Sequence, residues 1–114
     1  MAYRVTQTAR RQIDEILAYS LREYGRAAGD RYDLLITTAF DVIDAQPAAF
    51  GSRPVPGKVD IRDYDLRHCR TRLPPDQRVS NPRHKIVYRL AEAGAVDILA
   101  VIGRSLPSSL GPER

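Results

Sequence analysis

Apolar and polar residues alternate across residues 2–6, AYRVT, with Tyr3 and Val5 on one side and Arg4 on the other, which predicts a short first strand. From Thr8 the period changes. Ile13, Ile16, Leu17, Leu21 and Tyr24 fall at i, i+3, i+4, i+8 and i+11, one stripe of a helix with Thr8 as its N-cap. Gly25 follows the stripe and predicts its stop, because only glycine takes the left-handed end conformation without a Cβ penalty. A second helix begins within Arg26–Asp30 and runs to Pro47, with Ala28, Tyr32, Leu35, Ile36, Ala39, Phe40 and Ile43 on its apolar face. Two helices joined by so short a turn form an αα-hairpin, whose stripes need a common surface to cover.

That surface is expected from the C-terminal half. Residues 45–58 carry three prolines and two glycines and read as a loop. Val59–Leu66 alternates imperfectly and predicts a second strand; Thr71–Pro82, with proline at three positions and no period, reads as a loop insertion. His84–Leu90 alternates Ile86, Tyr88 and Leu90 against Lys85, Val87 and Arg89. Val96–Ile102 is nearly continuously apolar, as in a central strand covered on both faces. Gly94 supplies the turn between them. The expected fold is α+β, one domain over residues 1–114: an N-terminal strand, an αα-hairpin, then three antiparallel strands.

Composition agrees with a single folded domain, since 114 residues leave room for one small core and 43% of them are hydrophobic. No run approaches the ~18 apolar residues of a membrane span. With no apolar segment behind the N-terminal charges, a cytoplasmic location without membrane association is expected. The lone Cys69 fits a reducing compartment and, with no motif around it, reads as a passive thiol. Net charge is +4, and of the 18 basic residues only Lys58 and Lys85 are lysine. Arginine's planar fork suits carboxylate or phosphate, so the bias fits an acidic protein or a nucleic acid, or a solvated surface encoded by a GC-rich genome.

The order of these segments, with Ala9 to Gly25, Ala28 to Pro47, His84-Lys85-Ile86-Val87-Tyr88-Arg89 and Ile98 to Ile102, resembles the ParE/RelE toxins of type II toxin–antitoxin systems. Most of the chain is covered. The resemblance implies a toxin held by an antitoxin, and it poses a choice. RelE-like members cleave ribosome-bound mRNA and need positioned proton-transfer groups; ParE-like members are thought to poison DNA gyrase by binding. Here Gly103 stands where many relatives carry histidine, and the tail RSLPSSLGPER holds no Tyr or His and is broken by Pro107. The ParE-like branch is therefore expected, with no catalytic residue and no cofactor, a ParD-like antitoxin as partner and gyrase as target. The alternatives are a RelE-like ribosome-dependent endoribonuclease and an inactive binding module.

On this reading Arg104, Leu106 and Leu110 are the target-binding residues of the tail, and Leu34, Val42, Tyr88 and Arg89 the antitoxin-binding ones, Leu34 and Val42 because they fall off the core stripe of the second helix. A strand-end histidine such as His84 is more often an orienting hydrogen-bond partner than an acid or base. Arg70, Arg72, Arg78 and Arg83 flank the insertion as a candidate basic patch whose ordinary meaning is a solvated loop. The aromatic residues Tyr3, Tyr19, Tyr24, Tyr32, Phe40 and Phe50 read mostly as core. No base-stacking platform or sequence-specific nucleic-acid site is expected from them. His68, Cys69 and His84 lack metal-ligand spacing.

Overall fold

Thr6 ends the first strand and opens the first helix. In the computed structural model, which describes residues 3–48, 50–106 and 108, its hydroxyl accepts the Ala9 N–H at 3.2 Å and reaches the Leu99 carbonyl at 3.3 Å. The N-cap is thus Thr6 rather than Thr8: Thr6 is extended, as a cap must be, while Thr8 already lies in the first turn. β1 (Tyr3–Val5) leads into α1 (Gln7–Tyr24), and Gly25, at φ 94°, both stops α1 and starts α2 (Arg26–Ala45). The hairpin is as expected, but the stripe of α1 runs through Ala9, Ile13, Ile16, Leu17 and Ser20. Small residues lie where α1 is most deeply buried, which leaves Leu21 and Tyr24 to the side and exposed.

The chain then forms β2 (Ser52–Pro54), β3 (Ile61–Asp65), β4 (His84–Leu90) and β5 (Val96–Gly103), in a five-stranded sheet of order β1-β5-β4-β3-β2. The last three strands pair antiparallel, as expected, while β1 adds parallel to β5. β2 was hidden by its proline. Pro54 is tolerated because β2 is an edge strand, where a missing N–H breaks no ladder. β3 starts at Ile61 instead of Val59, since Asp60 turns the chain at φ 63° and leaves Val59 83% exposed. Among the described residues no helix is long and apolar enough to cross a membrane.

A bulge sets the two faces of β5. Val87 pairs with Ala100 but Tyr88 with Ile98, so Leu99 is the extra residue and the alternation changes phase there. Val96, Ile98 and Val101 join Tyr64, Ile86 and Tyr88 against Leu35, Ile36, Ala39, Phe40 and Ile43 of α2; Leu99, Ala100 and Ile102 form a smaller cluster with Val55, Ile61 and Val87 on the outer face. Both faces are buried, as the unbroken apolarity of β5 demands, and each large side chain so placed contributes about 1.5–3 kcal/mol. β1 is too short to flank all of β5. Past its end, the Gln12 amide oxygen accepts the Val101 N–H at 2.9 Å, supplying the partner a longer strand would have given.

The insertion is not an unstructured loop. Between β3 and β4 the chain makes three short 3-10 turns, Leu66–His68, Arg70–Arg72 and Pro75–Gln77, of which only the last lies wholly within residues 71–82, and Leu66, Cys69 and Leu73 point back into the main core. Their spacing of three and four is a short helical stripe that Pro74 and Pro75 bring to an end.

Candidate functional site

The Gly25 turn places the last two turns of α1 beside the first two of α2, and the end of the insertion returns past them into β4. Between these segments lies a groove of about 660 Å³, walled by Tyr19 and Tyr24 of α1, Arg31 and Tyr32 of α2, and Arg78, Arg83 and His84, over a floor of Ile16, Ala28 and Val79. The rings of Tyr19 and Tyr24 meet edge to face at 6.3 Å and are 51% and 69% exposed. Neither is core, nor is Phe50, which projects from its loop against His68. The expectation that the aromatics are mostly core fails for these three: the face of α1 that carries Tyr19 and Tyr24 turns to the groove, and Phe50 lies in a turn between α2 and β2.

At the inner end of the groove Tyr32 Oη lies 2.6 Å from His84 Nδ1, and the Arg83 N–H donates to the same oxygen at 3.2 Å. The Tyr32 hydroxyl thus holds both the strand backbone and the Nδ1 edge of the His84 ring. Burial pushes the Tyr32 hydroxyl above its ordinary pKa. Burial, aided by the positive charge of Arg104, pushes His84 below 6.5. At neutral pH the pair is therefore an uncharged phenol and imidazole.

Arg104 ties the tail to this cluster. Its backbone N–H donates to the Arg83 carbonyl at 2.8 Å, its Nε to Asp65 Oδ2 at 2.6 Å, and its guanidinium also to the Pro82 carbonyl. Further on, Ser108 donates to Asp63 at 2.6 Å, so the tail crosses the outer sheet face. Leu106 is exposed, and Leu110 lies outside the described residues.

The four residues expected to hold a partner do not share one surface. Leu34 is 39% exposed on the solvent side of α2, and Arg89 lies on the outer sheet face with Asp97 3.9 Å away. Val42 is 8% exposed and belongs to the core, which corrects its placement off the stripe: it follows Leu35 by seven residues and Ala39 by three, on the same buried face of α2. Tyr88 is fully buried, its hydroxyl 2.5 Å from Ser52 Oγ and bonded to the Pro47 carbonyl, at the β2 edge but inside the protein.

The candidate basic patch divides. Arg70 donates to the Val79 carbonyl at 2.6 Å and Arg78 to those of Leu73 and Thr71 at 2.7 and 3.3 Å, so these two staple the insertion to itself. Arg72 lines a separate hollow with Thr38, Asp41 and Val42. Only Arg78 and Arg83 reach the groove, where Arg31, which the sequence did not single out, joins them. Among the described residues no group of three His, Cys, Asp or Glu side chains is placed to hold a metal.

No curated protein matches the chain. Residues 3–105 match the family model described as ParE toxin of type II toxin-antitoxin system, parDE. The match takes in β1, the helical hairpin, all of the sheet and the root of the tail, and the chain belongs to the ParE toxin family of type II toxin–antitoxin systems.

Proposed function

We propose that this toxin acts by binding DNA gyrase in the cytoplasm, breaks no phosphodiester bond itself, and is neutralised by a ParD-like antitoxin. The observation that carries this reading is the state of the candidate proton-transfer groups. Gly103 closes β5 with no side chain, and His84, the histidine nearest the tail, is neutral with Nδ1 engaged by Tyr32. A general acid for a leaving ribose oxygen needs a proton available near neutral pH, and a histidine pushed below its ordinary value supplies it poorly. The tail surface from Arg104 and Leu106 towards Leu110 is then the target contact, with Leu34 and Arg89 the accessible members of the antitoxin set.

The experiment is gyrase supercoiling with purified chain. Inhibition with accumulated cleaved DNA is expected, and unimpaired supercoiling at a large excess of the chain contradicts it. An endoribonuclease is the second reading, favoured by one feature: the Tyr32–His84 pair opens on a groove beside Arg31 and Arg83. Ribosome-dependent mRNA cleavage that disappears in His84→Ala would select it.

A further inference from the structure

We infer that the groove between Tyr19, Tyr24 and Arg83 is the seat of an acidic segment of the neutralising antitoxin, and that its occupant covers and fixes the root of the tail. The inference rests on the toxin reading and adds a location and a mode of control to it.

The groove lacks a partner within the chain. Among the described residues no carboxylate lies within ion-pair distance of Arg31 or Arg83, so two arginines of the groove wall carry charge without an acidic partner, on a chain already at +4, while the Arg78 guanidinium is held by the Leu73 and Thr71 carbonyls. An occupant must bring negative charge. The apolar floor and the two half-exposed rings require more than a bare anion, because they offer contact to aliphatic or aromatic side chains. They serve a nucleic acid poorly: the tyrosine rings stand at 76° to one another and Arg22 lies over Tyr19, so there are no parallel free faces on which consecutive bases stack. From Ile16 to Tyr24 the helical wall is about 12 Å long, room for roughly two helical turns or four extended residues. The fit is a short polypeptide segment with one or two apolar side chains flanked by Asp or Glu.

Its position gives it control of the tail. Arg83, a wall of the groove, also offers the carbonyl that accepts the Arg104 N–H; Pro82 holds the Arg104 guanidinium; Tyr32 is bonded to both Arg83 and His84. A segment lying in the groove bears on residues 82–84, and these hold Arg104. Neutralisation by this route requires no contact with the outer face of α2.

The test uses as probe the polypeptide encoded by whichever fragments of the source genome restore growth to cells expressing this chain. Its affinity for the purified toxin is measured at low and moderate salt against three variants: Arg31→Glu with Arg83→Glu, Tyr24→Ala, and Leu34→Asp on the far side of α2. The double variant and Tyr24→Ala should each bind at least ten-fold more weakly, the double variant with a reduced salt dependence, while both still arrest growth when expressed alone. Tyr24→Ala removes an exposed ring and keeps the test open should charge reversal impair folding. Affinity within two-fold for both groove variants, with a ten-fold loss for Leu34→Asp, overturns the inference and leaves the toxin reading standing. Tight binding of a twelve-residue oligouridine that the double variant loses assigns the groove to nucleic acid and overturns it too. If no fragment restores growth, the toxin reading fails and takes the inference with it.

Discussion

Arg104, the first residue after β5, and Asp65, the last of β3, are joined by an ion pair of 2.6 Å that anchors the root of the tail. Asp65 is largely buried and also accepts the Arg67 N–H at 3.0 Å. Removal of the guanidinium in Arg104→Ala leaves that carboxylate short of its main counter-charge and should cost about 1–3 kcal/mol in urea unfolding. Lysine, a point charge without the fork, should recover less than half of the loss. A variant as stable as the parent would reduce the contact to a surface pair.

Tyr88→Phe isolates a second buried link. The hydroxyl holds Ser52 and the Pro47 carbonyl, and Ser52 in turn accepts Arg62 Nε at 2.6 Å, so one oxygen fastens the segment after α2 to the sheet. Its loss should lower stability by about 1–3 kcal/mol. A double-mutant cycle with Ser52→Ala should give at least 0.5 kcal/mol of coupling, roughly the lower limit for residues in one network. Additive effects would contradict the network.

His84 makes stability depend on pH in a definite direction. Its folded pKa lies below its ordinary 6.5 because burial and Arg104 disfavour the charged form. The unfolded chain therefore binds the proton first. Stability should be level above pH 7, fall as pH drops through 6.5, and stop falling once the lowered folded value is passed. The part of the slope due to His84 should not exceed about 1.4 kcal/mol per pH unit for one proton. His84→Gln should flatten it; a slope of opposite sign would mean that His84 is stabilised as the cation.

Cys69 should be inert. The thiol is fully buried, its sulfur lies 3.4 Å from the Leu66 carbonyl, and burial pushes its pKa up to about 11. With so little thiolate, an aromatic disulfide reagent at pH 8 should label the native protein only as fast as it unfolds, with full reaction in denaturant. Rapid native labelling would contradict the packing.

Much of the fold was legible because it rests on period and punctuation. Gly25 between two 3.6-residue stripes, and Gly94 between an alternating and a continuous strand, fix the hairpins by local chemistry alone. What escaped depends on neighbours. Pro54 disguised an edge strand, and Leu66, Cys69 and Leu73 are recognised as core only once α2 is beside them. Val42, seven residues after Leu35, shares its buried face. The groove was hidden for the same reason. Tyr19, Arg31 and Arg83 are dispersed over more than sixty positions, and no single window contains their juxtaposition. Arg104 was marked as a tail residue, but its partner Asp65 lies in another strand, so the anchoring was invisible. Truncation after Ile102 is for that reason a poor probe of the tail, since it strips Asp63 and Asp65 of Ser108 and Arg104. Leu106→Asp, an exposed change, is the cleaner one.

The central claim is that the chain is a toxin that acts by binding gyrase rather than by cutting RNA. It is tested most directly by inducing the chain alone in a bacterial host, then following DNA-damage signalling and mapping mRNA ends in the same culture. Growth arrest with strong damage signalling and no new mRNA ends at ribosomal A-sites is the predicted result. Arrest accompanied by A-site cleavage and no damage signal would contradict it.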